Sequence, residues 1–582
     1  MWMNRVRQPV TRIVTALPRL ATTRACRPVI PSWRRYASSD REAPKDSTSN
    51  WFRNSLGFAL AGTGVFLLYT YATLDINKDG GPANAKTKDL LPGIAEDPGT
   101  LFVQKNRSLR SPGVYLWGTN MYKVADPDSK ETVIKTPRHL SYFDGQVLRD
   151  LKLDEKSGAA ITEKGELIQW GKGFSESDFK PTQTLTGKNL TSLCMSQDRI
   201  LALSSDGKVY SLPISKNDQQ SGRKPRDGSW VPFRSGGNAD VSFRVLQPKL
   251  GMTERVTAVS GGQEHALLLT NSGRVFSVAS STENYPIFGQ LGIPGLTWST
   301  RPEGPADTCH EVTALKGSKI TQVATGDYHS LALSRDSQVF AFGDNSFGQL
   351  GVGFNSSTPF IDKPILLPVN KLYRNNEWAA KVMQIAAGGA NSFFSVDAQR
   401  IAGSDEDPSA VSDLGRIRAD IWTCGRGIWG LLGNGKWTHM QDAPTKLKAL
   451  SGLCEFDERT EKVSPIHLRD ISVGTTHASA VLDNNTHLHS ASSKALETGD
   501  DWGYDALWWG GNEHFQLGTG KRNNMSRPTY INAPPGPEEK GNKQEARLQI
   551  MPRHKGQAGN RTVNMEQRIE CGRHVSGIYS SA

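Results

Sequence analysis

The chain has 582 residues, 57 of them glycine and 14 tryptophan, with a formal net charge of +11. That length can bury a large core, and the glycine and tryptophan content suits a β-repeat with tight turns. The charge makes no general case for binding nucleic acid: eight arginines and no acidic residue fall in the first 39 positions, and without them the net charge is +3.

Residues 1–36 are rich in arginine, sprinkled with threonine and serine, and hold no lysine. Such a basic, acid-free segment suits a mitochondrial presequence, drawn by a membrane potential that is negative inside. Arg34-Arg35-Tyr36 followed by Ala37-Ser38 resembles a matrix-processing site, with cleavage after Tyr36. The lack of lysine speaks against a nuclear signal. Residues 37–53 form a short polar segment. Residues 54–74 are 21 positions without a charge, the length at which a helix crosses the hydrocarbon core. Trp51 and Phe52 on one side, and Tyr69 and Tyr71 on the other, suit interfacial anchors. A single transmembrane helix is expected there, in preference to a helix packed on the following domain. The flanking charges set no orientation. Residues 75–113, with Gly80-Gly81-Pro82 and Pro92-Gly93, read as a tether.

From residue 114 one unit recurs. Its clearest copy is Gly326–Gly351, where His329, Leu331 and Leu333 alternate with Ser330, Ala332 and Ser334, a period of two that marks a strand. A turn follows, then a second strand, Val339–Phe342, and a glycine-rich loop ending in FGQLG. Apolar groups lie on both faces, so the unit needs a sheet on each side. The second strand fills seven matching slots: Val114–Gly118, Leu167–Gly171, Val209–Pro213, Val275–Ala279, Val339–Gly343, Ile421–Gly425 and Ala506–Gly510. The loop recurs at Phe288–Gly292, Phe347–Gly351, Trp429–Gly433 and Phe515–Gly518, with Phe515 in a glycine slot. Irregular recurrence of one small sheet means a solenoid or a ring. The chain ends favour the ring: the strand at Val114 lacks a preceding partner and Arg573–Ser580 lacks a following one, so their pairing would latch seven complete blades.

The pattern GxxHSLAL, turn, VxxWG, N-x-FGQLG resembles the repeat of the regulator of chromosome condensation superfamily, over about residues 114–580. The expected fold is therefore all-β, a seven-bladed β-propeller over 114–580 behind an N-terminal presequence and a single transmembrane helix. Ser157 and Arg199 in the histidine slot, and Asn391 in the fifth unit, depart from the pattern. The imported, anchored architecture is similar to fungal mitochondrial members linked to assembly of respiratory complex III. That resemblance implies a non-enzymatic inner-membrane scaffold, with complex III subunits or assembly factors as partners and the propeller on the matrix side. Other members of the superfamily are guanine-nucleotide exchange factors, so a mitochondrial GTPase is the alternative partner. Association with the mitochondrial ribosome or its RNA is a third reading, which the near-neutral body disfavours.

Searching for chemistry returns little. There is no HExxH, no CxxC pair and no phosphate loop. The GxGxxG at Gly425–Gly430 follows a strand, but no helical pattern comes after it, and Trp429-Gly430 already belongs to the repeat loop. His265, His329, His477 and His574 are assigned to one repeat slot, where a ring N–H would tie down a loop carbonyl within its own blade in preference to binding a metal. The six scattered cysteines read as buried thiols. No catalytic residue, cofactor or metal ligand is assigned. The insertions at 214–240, 397–419 (with Asp405-Glu406-Asp407) and 534–567 read as solvated surface loops.

Overall fold

The computed structural model describes residues 112–582 except 226–240, 374–376, 404–412, 458–460, 485–502 and 533–546. The presequence, the expected span at 54–74 and nearly all of the tether lie outside the described residues. Among the described residues no helix is long and apolar enough to cross a membrane. The architecture is mostly β, with one short α-helix, Lys216–Ser221, among the described residues.

Among the described residues the strands form one nine-stranded sheet, four four-stranded sheets, one five-stranded sheet and one two-stranded sheet. The nine-stranded sheet parts at its one parallel bridge, so that four-stranded antiparallel groups can be followed in succession, here called sheets 1 to 7. Sheet 1 holds Leu148–Leu153, Gly158–Thr162, Leu167–Trp170 and Thr182–Gln183. Sheet 2 holds Leu190–Met195, Arg199–Ser204, Val209–Pro213 and Arg244–Leu246. Sheet 3 holds Val256–Gly261, His265–Thr270, Val275–Ala279 and His310–Glu311. Sheet 4 holds Ile320–Thr325, His329–Ser334, Val339–Asp344 and Phe360–Leu366. Sheet 5 holds Trp378–Gly388, Asn391–Arg400, Ile417–Arg426 and Met440–Lys446. Sheet 6 holds Leu468–Val473, His477–Leu482, Tyr504–Gly510 and Met525–Thr529. Sheet 7 is composite: Arg561–Cys571 and Val575–Ser581 from the chain's end pair onward to Val114–Thr119 and Val133–His139 from the start of the repeats. In that seam Leu116 lies opposite Gly577 and Val114 opposite Tyr579. A single parallel bridge, Leu148 to Ser581, links sheets 7 and 1.

The first strand of each sheet touches the first strands of the sheets before and after it, and this succession returns from sheet 7 to sheet 1. The hydrophobic clusters lie between successive sheets. Leu331 and Leu333 of sheet 4 pack with Ile385 and Phe394 of sheet 5, while the intervening Ala332 packs with Leu267 and Leu269 of sheet 3. Strand alternation thus places buried apolar side chains on both faces of the second and third strands. Trp117, Trp170, Trp508 and Trp509 are fully buried, and removing a side chain of that size from a core costs about 3–5 kcal/mol. At the seam Trp117 and Trp508 meet edge to face with ring centroids 6.2 Å apart.

Two insertions carry more structure than their sequences suggest. The 397–419 stretch begins and ends as extensions of the ten-residue strands Asn391–Arg400 and Ile417–Arg426. Within 534–567 the strand His554–Ala558 pairs with Arg561–Met565. Both pairings run on hydrogen bonds to an existing strand, a gain that polar composition conceals. Cys194, Cys424 and Cys571 are buried free thiols, and Cys454 is exposed.

Candidate docking surfaces and the stitches between sheets

In every sheet the turn from the first to the second strand and the loop from the third to the fourth lie at the same end, because antiparallel neighbours reverse direction. Both repeat motifs therefore gather on one end of the array, the loop face. Three of the motif histidines begin second strands there. His265 Nε2 lies 2.9 Å from Ser330 Oγ, His329 Nε2 2.9 Å from Ser392 Oγ, and His477 Nε2 2.6 Å from Ser576 Oγ. Each serine belongs to the following sheet and donates back to a loop carbonyl of the histidine's own sheet, those of Gln290, Gln349 and Gln516. The serine proton is thereby used, so the imidazole donates from Nε2. The carbonyl expected to receive the histidine is reached through a hydroxyl of the neighbour, which makes the contact a stitch between sheets.

His574 does not occupy this slot. Gly572 N–H bonds to Val575 O as Gly326 N–H bonds to His329 O, and Ser576 stands where Ser330 and Ser392 stand. Val575 is the residue in the histidine position. His574 takes the place of Tyr328, with φ +61°, and its ring meets His514 at 4.7 Å as Tyr328 meets Phe288 at 5.4 Å. The glycine three residues before the slot was the signal that could have set this register.

Burial pushes His265, His329 and His477 down to about 3. For His265 the neighbouring His329 adds to the shift. Gly326 shows why the motif opens with glycine: a Cβ there would lie 2.1 Å from His329 Cε1. Among the described residues no group of three or more His, Cys, Asp or Glu side chains is placed to hold a metal ion.

The turns on the loop face converge across the array. Arg573 of sheet 7 reaches Asp327 of sheet 4 at 3.4 Å and Asp154 of sheet 1 at 3.4 Å. Gln197 N–H bonds to Gln263 O, Gln263 N–H to Asp327 O, and Asp327 N–H to Gly389 O, so the turns of sheets 2 to 5 are tied in succession. Burial raises the Asp327 carboxyl above its ordinary value, opposed by Arg573. Sequence reasoning missed this cluster, since its partners stand 246 residues apart.

At the opposite end, where first strands begin, sheets 3 to 6 line an open depression of about 710 Å³. Ala258, Gln322, Met383, Gln384, Asp397 and His467 contribute to its lining. His467 Nε2 and Asp397 Oδ1 are paired there at 3.2 Å. Deeper among the first strands, Lys152 Nζ meets Glu570 Oε2 at 2.9 Å and Asp150 Oδ1 at 3.8 Å. Burial pushes Glu570 up to about 7, with Lys152 opposing and Asp150 and Asp470 adding to the rise.

The GxGxxG stretch forms no phosphate cradle. Gly425 is the last residue but one of the third strand of sheet 5, and Gly430, at φ +80°, is the loop glycine against Ser526 of sheet 6. The Arg426 guanidinium carbon lies 4.7 Å from the ring centre of Phe347 and 4.3 Å from that of Trp429.

Models of the "Regulator of chromosome condensation (RCC1) repeat" match residues 320–349 and 336–395. The mitochondrial protein FMP25 of Saccharomyces cerevisiae is 26% identical over 465 residues, covering 75% of this chain and 67% of that protein. The mitochondrial RCC1 domain-containing protein RUG3 of Arabidopsis thaliana is 24% identical over 359 residues, covering 60% of this chain and 68% of that protein. Human WBSCR16 superposes with a TM-score of 0.52 at 18% identity, covering 81% of this chain and all of that one. Prp20p of Saccharomyces cerevisiae, crystallised in a study of its binding to Gsp1p and histones, gives 0.50 at 16% identity over 84% of this chain and 96% of its own. With the repeat strands, loops and stitches in place, the chain carries regulator of chromosome condensation repeats within residues 320–395 and resembles that superfamily over its other sheets.

Proposed function

We propose that the seven sheets are the blades of one propeller, and that this propeller is a non-enzymatic docking scaffold in mitochondria supporting assembly or stability of respiratory complex III. The observation that carries the reading is the likeness to a mitochondrial protein over three quarters of the chain, FMP25. The first-strand contacts that return from sheet 7 to sheet 1 support the ring. Cross-linked turns on one end and a broad depression on the other give a rigid body with two surfaces for partners. Residues 1–36 would direct import, with cleavage after Tyr36. Residues 54–74 would hold the scaffold at the inner membrane, with the propeller facing the matrix.

Crosslinking and affinity capture from solubilised mitochondria test this directly. Recovery of complex III subunits or their assembly factors is expected, and recovery of no inner-membrane assembly component would overturn it. Protease protection in mitoplasts reads the side on which residues 114–580 lie. Accelerated nucleotide release from a mitochondrial GTPase would replace the scaffold reading by the exchange-factor one.

A further inference from the structure

The loop of sheet 5 differs from that of sheet 4 at two positions that act together there. In sheet 4 the residue after the third-strand glycine is Asp344, which accepts Ser346 N–H at 3.0 Å and Gln349 Nε2 at 2.7 Å, closing the loop on itself. In sheet 5 the corresponding residues are Arg426 and Leu431, which cannot make that bond. Arg426 is instead held between the rings of Phe347, from the preceding loop, and Trp429, from its own. Among the described residues it has no carboxylate partner, and its Nε has no hydrogen-bond acceptor. Its burial without a counter-charge lowers its affinity for the proton, the mark of a cation lacking an anion. Trp437, 54% exposed, lies against Gly430 beside it, and exposed His439 meets Phe347 at 5.6 Å. Lys436 and Arg527 are exposed at the rim, and the nearby Asp442 carboxylate is engaged by Phe354 N–H.

A guanidinium fixed between aromatic faces has already lost most of its rotamer freedom, so it can grip a planar carboxylate at little entropic cost. Exposed tryptophan beside arginine is also the composition of interface anchors. We propose that Arg426, Phe347, Trp429 and Trp437 form a docking site for an acidic segment of a partner protein, a carboxylate seated on Arg426 with an apolar neighbour on Trp437. The proposal deepens the scaffold reading by giving its loop face a partner chemistry. It is separable from that reading, because peptide binding is measured without reference to complex III.

The test uses the full chain in detergent and two terminally blocked peptides, one alternating glutamate and leucine, the other with glutamine for each glutamate. Calorimetry is expected to show binding of the acidic peptide that weakens with salt, at least tenfold stronger than for its amide counterpart. Arg426→Gln should remove that preference, Arg426→Lys should restore part of it, and Trp437→Ala, a surface change, should weaken binding with the fold intact by circular dichroism. Equal binding of both peptides, no binding, or binding indifferent to Arg426→Gln would overturn the proposal. So would inorganic phosphate or vesicles of anionic lipid binding through Arg426 where the acidic peptide does not.

Discussion

His265 and Ser330 sit on adjacent sheets with Nε2 and Oγ 2.9 Å apart, and the two residue types travel together around the molecule. Where the slot holds histidine, at 265, 329 and 477, the next sheet supplies serine at 330, 392 and 576. Where it holds Val575, Ser157, Arg199 or Asn391, the next sheet has Gly158, Ile200, Ala266 or Ala478. Seven comparisons within one chain thus make the pair a unit. Ser330→Ala alone should cost about 1–3 kcal/mol, because it strands both the His265 donor and the Gln290 carbonyl in a buried place. The double change His265→Asn with Ser330→Ala, copying Asn391 and Ala478, should be less destabilising than the sum of its parts. Urea unfolding of the four proteins of the cycle measures this.

The same histidines give the molecule an acid limit. Each is held neutral down to about 3 in the fold, against 6.5 when exposed. Below 6.5 the unfolded chain takes up protons that the folded one refuses. Their contribution is whole above that pH and falls as pH drops toward 3, by up to about 1.4 kcal/mol per unit for each histidine. Unfolding midpoints measured across this range should fall less steeply in His329→Asn.

Glu570 acts in the opposite direction. Its folded value, up to about 7, exceeds the 4.5 of an exposed glutamate. Its contribution is present below 4.5 and is lost as pH rises to about 7, since the unfolded state releases the proton first. Glu570→Gln should flatten stability over that window, Lys152 keeping Asp150 as a partner at 3.8 Å. An unchanged pH profile in the variant would show that the carboxyl titrates normally.

Phe515 and Gly348 share a repeat slot with opposite consequences. Gly348 has φ +77°, and a Cβ there would lie 2.3 Å from Asp442 Cα, so Gly348→Ala should cost on the order of 3 kcal/mol. Phe515 endures φ +63° with its ring 5.6 Å from Lys135 Nζ. Phe515→Gly trades relief of about 1–2 kcal/mol of backbone strain for that contact and for a more flexible unfolded chain. Its thermal midpoint should move little, in contrast to that of Gly348→Ala.

Cysteines placed at Tyr115 and Ile578, which face each other in the seam, should oxidise readily. The bond would close a loop of more than 400 residues, and stabilisation of about 4 kcal/mol or more is expected. Failure to form it without denaturant would mean that the two strands lie apart.

What sequence revealed follows the reach of each signal. The seven strands ending at Gly118, Gly171, Pro213, Ala279, Gly343, Gly425 and Gly510 all become third strands, because local alternation and a closing glycine or small residue are written in consecutive residues. The slot of His574 was misjudged by one position, since the letter His outweighed the spacing from Gly572. Arg426 was hidden inside a motif dismissed for nucleotide binding, and its meaning emerges only beside Asp344 and Gln349. Arg573 with Asp327 had no local signature at all, their meeting depending on the whole array.

The seam of sheet 7 also dictates when folding can finish. Val114–Thr119 is among the earliest repeat strands to leave a ribosome or an import pore, yet its partner Val575–Ser581 is among the last. Until that arrival one strand edge stays unsatisfied and open to chaperones, proteases or another chain. A nascent polypeptide interrupted before Val575–Ser581 would therefore keep an unpaired edge along Val114–Thr119, the kind of edge that quality-control machinery and other chains can engage.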